Sequence, residues 1–249
     1  MTTGRGSAGV SQAQIAKAKT RLHGLHRRIV DCRHCPRLVE HREKIGEIKR
    51  ASYREWDYWA KPITGFGDLE ARLLIVGLAP AAHGGNRTGR VFSGDASATF
   101  LMDGLYQAGF ANQPNSDHRD DGLELFNAYL TAAVRCVPPG DKPTVQEQRD
   151  CLPFFVEEME ILPRLTTVLA LGQIAFQACL KALSLQAGAP IRAKFAHGVW
   201  HELPEGLPTL VGSYHPSPRN TNTGRLTKDS FLEVLLRLRE ELGLDRAGR

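Results

Sequence analysis

Four short apolar runs, separated by segments of helical periodicity, constrain the fold of this chain most strongly. They are rich in Val, Leu and Thr and occupy residues 72–78, 129–135, 167–172 and 208–214. Their hydrophobicity is continuous rather than alternating, which is typical of strands that are buried on both faces of a parallel sheet. The sequence therefore predicts an α/β protein, a three-layer α/β/α sandwich with a central four-stranded, mainly parallel sheet.

Helical segments lie between and around these runs. Apolar residues recur at helical spacing from Ser11 to about Val30, and again over residues 100–108, 152–162, 174–180 and 227–242. A chain of 249 residues with 42% hydrophobic residues is large enough to bury one sizeable core. We predict a disordered tail at 1–10 and a single domain over 11–249 that includes an N-terminal helical segment.

Composition narrows the setting of the protein. No apolar run reaches the roughly 18 residues needed to cross a bilayer, and the first thirty residues lack the apolar centre of a secretory signal. A cytoplasmic protein without a membrane partner is therefore expected. The net charge of +5 slightly favours a polyanionic partner.

Cysteines form a second pattern. Five are present, and an odd number in a chain without a signal argues against a disulfide framework. Cys32 and Cys35 are separated by two residues, whereas Cys136 and Cys151 enclose fourteen. Four thiolates suit zinc or an iron–sulfur cluster, and the spacing does not choose between them or exclude unconnected core cysteines. Cys179, on an apolar helical face, is predicted to be core.

A glycine-rich segment, "GLAPAAHGGNRTGRVFSGD", follows the first apolar run at residues 77–95. It contains neither the P-loop nor the Rossmann glycine pattern, which disfavours a nucleotide-binding α/β protein with a structural zinc. Ligands of such sheets bind beyond the carboxyl ends of strands, where this segment begins. Asp95 directly precedes a helical segment, so it is a candidate helix N-cap as well as a candidate site residue.

A second loop, "HPSPRNTNTGRL" at residues 215–226, follows the last apolar run. His215 therefore lies at the same edge of the predicted sheet. Pro216 and Pro218 stiffen the backbone on both sides of Ser217 and remove two hydrogen-bond donors. The stiffened backbone and the position at the ligand-binding edge favour a functional role for His215 over a purely structural one.

Together with the cysteines, the two loops resemble the uracil-DNA glycosylase superfamily, and in particular its type-5 iron–sulfur family. The resemblance extends from about Cys32 to the last helix. It implies a base-excision repair enzyme that hydrolyses the N-glycosidic bond of a nucleotide flipped out of DNA. It also implies a structural [4Fe–4S] cluster on Cys32, Cys35, Cys136 and Cys151. Two alternatives remain: a uracil-specific type-4 enzyme and a non-catalytic iron–sulfur protein that binds nucleic acid.

The resemblance further implies roles for individual residues. His215 would stabilise negative charge on the departing base, and Asp95, or Asp141 as a second candidate, would serve the sugar cation and the water. Phe92 would stack on the flipped base. Further base-binding positions implied by the resemblance are Gly77, Ala79, Ala81, His83 and Ala132.

Two departures from related enzymes bear on specificity. Other superfamily members carry an Asp or Asn directly after the first strand, where this chain has Ala79, Ala81 and Ala82. Strict uracil enzymes carry an Asn at the position resembling Ala132. A pocket without matched polar groups discriminates weakly between bases. The expected substrates are therefore uracil and also hydroxymethyluracil, hypoxanthine or ethenocytosine.

Contacts with the DNA backbone are expected from basic loop residues. The resemblance puts Arg219 where a leucine wedge is common, so it would insert into the duplex or hold a phosphate. The other predicted DNA-binding residues are Arg87, Arg90, Asn220 and Arg225. The resemblance also implies a monomer, which we expect for this protein.

Overall fold

The computed structural model describes residues 10–244, so the predicted tail lies almost entirely outside the described residues. The chain forms helices and strands in alternation after two N-terminal helices. In chain order these are α1 Gln12–Val30, α2 Pro36–Ile48, β1 Phe66–Gly67, β2 Leu73–Gly77, α3 Gly85–Thr88, α4 Ala96–Gln107, β3 Ala128–Ala132, α5 Val145–Ile161, β4 Thr167–Leu171, α6 Gln173–Ala187, β5 Val199–His201, β6 Thr209–Ser213, α7 Pro218–Thr221 and α8 Lys228–Glu241.

The sheet has the strand order β1-β3-β2-β4-β6-β5. Its four central strands are parallel and correspond to the four predicted runs. The predicted total of four strands is wrong, because β1 and β5 pair antiparallel at the two edges and bring the sheet to six strands within residues 10–244. With two and three residues, these edge strands are too short to produce a recognisable pattern.

Helices cover both faces of the sheet, which confirms the α/β class. On β2, Leu73 and Ile75 enter a core formed with α4 and α8. The alternate residues Leu74 and Val76 enter the opposite core, formed with α5 and α6. Helix α1 packs outside α5, so the N-terminal segment is attached to this second layer.

A buried polar network also joins α1 to the sheet. Glu158 of α5 is fully buried and accepts hydrogen bonds from Arg135 at 2.7 Å and from the Tyr129 hydroxyl at 3.3 Å. The same hydroxyl lies 3.1 Å from Nε2 of His26 on α1. Burial and the Glu158 charge raise the pKa of Tyr129, so its hydroxyl stays protonated.

Within residues 10–244, every helix is too short or too polar to cross a membrane.

Candidate active site

A cavity of about 50 Å³ opens at the carboxyl ends of β2 and β3 and faces the loop after β6. This is the edge at which a parallel sheet binds its ligands. The structure brings most of the predicted site residues together here. Those lining the cavity are Gly77, Ala79, Ala81, Phe92, Asp95, Ala132 and His215.

The Phe92 ring lies across the end of β2. A Cβ atom added to Gly77 would overlap this ring, so glycine is needed there for close approach rather than for a phosphate. Phe92 itself adopts a φ of 49°, in the left-handed region that non-glycine residues rarely occupy. Ser116 holds it by donating a hydrogen bond to its carbonyl oxygen at 2.8 Å. Strain of this kind persists where surrounding contacts fix the backbone, as here beside the cavity.

Asp95 is the N-cap of α4, as one reading of the sequence predicted. Its carboxylate accepts a hydrogen bond from the backbone N–H of Ala98 at 2.9 Å while also lining the cavity. Burial raises the pKa of Asp95; backbone hydrogen bonds and the charge of Arg87 oppose this shift, and Asp141 adds to it. A half-buried carboxylate with a raised pKa is a suitable proton acceptor.

His215 enters the cavity from the loop after β6. Its ring centroid lies 6.4 Å from that of Phe92. The Asn220 side chain and the Ser217 backbone N–H both donate to the His215 carbonyl oxygen, each at 2.8 Å, which fixes the loop. Burial lowers the pKa of His215 to about 4, although nearby Asp141 opposes the shift. The imidazole is therefore neutral near pH 7 and carries one N–H donor.

Asp141, the second candidate acid, is exposed and lies outside the cavity lining. It ends a short 3₁₀ turn, Pro139–Asp141, with a φ of 58°. Its charge nevertheless adds to the rise in the pKa of Asp95 and opposes the lowering of the pKa of His215. The structure thus places Asp141 near the site as a source of negative charge.

His83, predicted to bind the base, lies elsewhere. Its Nδ1 is 3.0 Å from the Tyr58 hydroxyl, and it is not among the residues lining the cavity. Tyr58 belongs to an aromatic segment that also contains Tyr53, Trp56 and Trp59. Backbone N–H groups of Trp59 and Ala60 in this segment bond the carbonyls of Arg87 and Asn86. The high content of aromatic residues was the one signal in the sequence that this segment packs over the glycine-rich loop.

Arg87 and Arg90 correct the DNA-contact prediction. Each is only 3% exposed. Arg90 donates to Asp121 at 2.7 Å and to Ser116 at 2.7 Å. Burial alone would raise the pKa of Asp121, but the Arg90 hydrogen bonds hold it well below its usual range. The two guanidinium groups lie inside the protein, so they are not available to DNA phosphates.

Arg219 and Arg225, by contrast, are exposed. They line a second cavity, of about 420 Å³, which also contains Asn220 and shares His215 with the first. The Arg225 guanidinium lies 4.3 Å from the centre of the Tyr214 ring. This surface is continuous with the candidate active site, and a role in DNA binding stays a prediction for these residues.

The four candidate ligand cysteines lie around one small cavity of about 10 Å³. All four thiols are free of disulfides, and Cys136 and Cys151 are buried. Because one cavity of this size touches all four cysteines, the thiols are close neighbours. Among the described residues, no three or more His, Cys, Asp or Glu side chains form a group able to hold a metal ion. Cys179 is fully buried in a different core cluster, where the sequence put it.

Arg42 of α2, which sequence reasoning missed, connects this centre to the glycine-rich loop. Its guanidinium donates to Sγ of Cys136 at 2.9 Å and to the Cys32 carbonyl at 3.2 Å. Its own carbonyl accepts a hydrogen bond from the Asn86 side chain at 3.2 Å. Arg42 is 2% exposed, so a cation is enclosed among the thiols.

Comparison with known proteins agrees with this geometry. Residues 64–239 match the family model described as "Uracil DNA glycosylase superfamily". The chain belongs to the uracil-DNA glycosylase superfamily. The matched residues include every strand from β1 to β6 and both loops of the candidate active site.

Curated superfamily members give a finer placement. The chain is 50% identical over 213 residues to the type-5 uracil-DNA glycosylase of Thermus thermophilus, covering 86% of this chain and 94% of that protein. It is 46% identical to the type-5 protein of Pyrobaculum aerophilum, with coverages of 87% and 91%. The type-4 uracil-DNA glycosylase of the same organism is only 27% identical, over 67% of this chain and 68% of the relative. The chain therefore belongs to the type-5 family.

Proposed function

We propose that this protein is a DNA glycosylase that removes uracil from DNA in base-excision repair and leaves an abasic site. The observation that carries the proposal is the cavity joining Asp95, His215 and Phe92 at the carboxyl edge of the sheet. The names of its type-5 relatives support the same activity.

The reaction requires the nucleotide to leave the duplex, because the scissile bond is inaccessible inside the base stack. The flipped base would stack on Phe92, which is held at the end of β2 by Ser116. Glycine at position 77 leaves room for the Phe92 ring against the end of β2, so the ring can take the position in which it would meet the base.

Cleavage leaves the bonding electron pair on the base and positive charge on the sugar. Neutral His215 would donate its N–H to the base oxygen on which negative charge develops. The Asp95 carboxylate would stabilise the sugar cation and accept a proton from the water whose oxygen bonds to C1′. Asp141, exposed and outside the cavity, is kept as a second candidate for positioning water.

The apolar wall of the cavity supports a broad substrate range. Ala79, Ala81 and Ala132 line it where matched polar groups would otherwise read the base edge. We propose that hydroxymethyluracil, hypoxanthine and ethenocytosine are also excised. Ala132→Asn should narrow the range towards uracil, because an amide that stays unpaired with the wrong base penalises it. Equal losses for every base in an oligonucleotide panel would contradict this account.

We further propose that Cys32, Cys35, Cys136 and Cys151 hold a [4Fe–4S] cluster. The chemistry of the donors supports this proposal: four free thiols line one cavity, and the enclosed Arg42 cation offsets thiolate charge. Within residues 10–244 these side chains do not stand in a metal-binding arrangement, so the thiols would have to converge when the cluster binds. Bound there, the cluster would supply a structural cross-link between the N-terminal helices and the segment after β3. Purified protein should absorb broadly near ~400 nm and contain iron, as expected for thiolate-ligated iron. A colourless protein that contains zinc would overturn the assignment.

The activity is tested with an oligonucleotide that contains a single uracil, followed by alkali, which breaks the strand at an abasic site. Cleavage of uracil and other deaminated bases supports the type-5 proposal. Cleavage of uracil alone would favour a specificity like that of the type-4 enzymes. Tight DNA binding without cleavage of any damaged base would mean a non-catalytic protein. Sedimentation of the free protein and of its DNA complex tests the proposed monomer.

A further inference from the structure

Arg87 occupies an unusual position behind the candidate active site. Its Nε donates to the His83 carbonyl at 2.7 Å, and its Nη2 donates to the Gly94 carbonyl at 2.9 Å. These carbonyls lie at the two ends of one segment of the glycine-rich loop, so a single guanidinium closes it. Gly94 directly precedes Asp95 in the chain.

The guanidinium also lies against two aromatic rings, which are nearly perpendicular to each other at 79°. Its central carbon lies 4.0 Å from the ring centroid of Tyr53 and 4.0 Å from that of Trp56. Contact with two rings set at this angle restrains the orientation of a planar guanidinium, which a lysine would not reproduce. A Cβ atom at Gly94 would overlap the guanidinium, and its φ of 68° also favours glycine.

Arg87 Nη1 is buried and has no hydrogen-bond partner among the residues that the structure describes, and the same is true of Nε in the buried Arg90 and Arg42. An unpaired donor of this kind costs free energy in each of them. What distinguishes Arg87 is its hydrogen bond to the Gly94 carbonyl, directly before Asp95.

We propose that Arg87 is a positioning residue of the glycosylase reaction, which fixes the Gly94 carbonyl and thereby the orientation of Asp95 in the cavity. The inference rests on the proposed function. Three kinds of group act on Asp95: the Ala98 and Ser97 amides of α4, Arg87 of α3, and Asp141 after β3. His215 lines the same cavity. Arg87 is the cation among those that influence the pKa of Asp95, so its loss would favour the protonated acid.

The test compares Arg87→Met and Arg87→Lys with the unmodified protein in single-turnover excision of uracil across a range of pH. Arg87→Met should reduce the rate by about 10²-fold, the loss typical of a misplaced reacting group. It should also move the acidic limb of the pH profile to higher pH, because the Asp95 pKa rises. Arg87→Lys should return the limb towards its original position without restoring the full rate. The affinity for DNA should be unchanged in both.

Arg90→Met is the matched control, since Arg90 is equally buried in the same loop but pairs with Asp121 rather than acting on Asp95. It should lower the midpoint of thermal unfolding and leave the acidic limb in place. If Arg87→Met behaves in the same way as Arg90→Met, with lower stability and an unmoved limb, the inference is wrong and Arg87 is structural only.

A second measurement separates this inference from the proposed function. The carboxyl carbon of Asp95 can be titrated by NMR in labelled protein without turnover, and its midpoint should lie at higher pH in Arg87→Met. An active unmodified enzyme with an unshifted Asp95 midpoint would refute the role of Arg87 alone. An unmodified protein that excises no base would refute the proposed function, whatever the titration shows.

Discussion

The glycine-rich loop at 77–95 and the loop at 215–226 face one cavity and each contains two arginines, but the arginines differ in burial. In the first loop Arg87 and Arg90 are buried and bonded to internal groups. In the second, Arg219 and Arg225 are exposed. The difference lies in what covers each loop. Trp56 and its neighbours cover the first, whereas the second borders an open cavity.

This contrast separates two uses of one side chain. Enclosed guanidinium groups fix carbonyls and carboxylates at defined distances, so the first loop presents a preorganised acid. Exposed guanidinium groups keep their charge available for phosphates, so the second loop is the one in which we propose a DNA-binding surface. Substitutions in each loop test this difference.

Arg90→Met should have the largest effect. It leaves Asp121 buried without its partner, and breaking a buried ion pair in this way costs about 3–5 kcal/mol. Denaturant unfolding measures the loss. Arg219→Met in the exposed loop is the matched control and should change stability by less than about 0.5 kcal/mol. Equal losses in the two variants would break the comparison between the loops.

His215→Ala should slow excision by about 10²–10³-fold, the usual effect of removing one donor to a developing anion. Single-turnover assays with a uracil oligonucleotide measure the rate, and fluorescence anisotropy of labelled DNA checks that binding is retained. A rate within a few-fold of the unmodified enzyme would remove His215 from the mechanism.

Asp95→Asn should inactivate the enzyme and stabilise the fold at neutral pH. Burial raises the pKa of Asp95 in the folded state, so ionising it opposes folding above its unfolded pKa. Asparagine keeps the N-cap without the charge, whereas Asp95→Ala loses the cap at a cost of about 1 kcal/mol.

The pH dependence fixes the sign of this effect. The advantage of Asp95→Asn over the unmodified protein should shrink as pH falls through the folded pKa, because the native carboxyl then becomes neutral as well. Thermal unfolding at several pH values measures it. A lower unfolding midpoint for Asp95→Asn at neutral pH would contradict the raised pKa.

Arg219→Met and Arg225→Met should produce the smallest change, confined to DNA binding. Each lost phosphate contact lowers the slope of log affinity against log salt by about 0.7–0.9. Anisotropy titrations at several salt concentrations measure the slope. An unchanged slope in the double variant would show that this loop does not meet the DNA backbone.

Periodic hydrophobicity in the sequence predicted the central strands and the helices. The burial of a loop side chain was not predictable, because it depends on which distant segment packs over the loop. The central strands were visible because Leu74 and Val76 are as apolar as their neighbours facing the other core, whereas β1 and β5 are too short for any period. His215 and Asp95 followed from their places at strand and helix ends. Arg87 and Arg90 were misassigned because nothing local shows which segments will fold over a loop.

The bond between Arg42 and Cys136 has a consequence for anyone wishing to move this site to another scaffold. Arg42 donates to Cys136 and accepts a hydrogen bond from Asn86, which links the cysteines to the glycine-rich loop. The next residue, Arg87, donates to the Gly94 carbonyl directly before Asp95. The glycine-rich loop is therefore not a portable unit. A graft would have to include helix α2 and the turn at Cys32, because without them the contacts that fix the position of Asp95 would be lost.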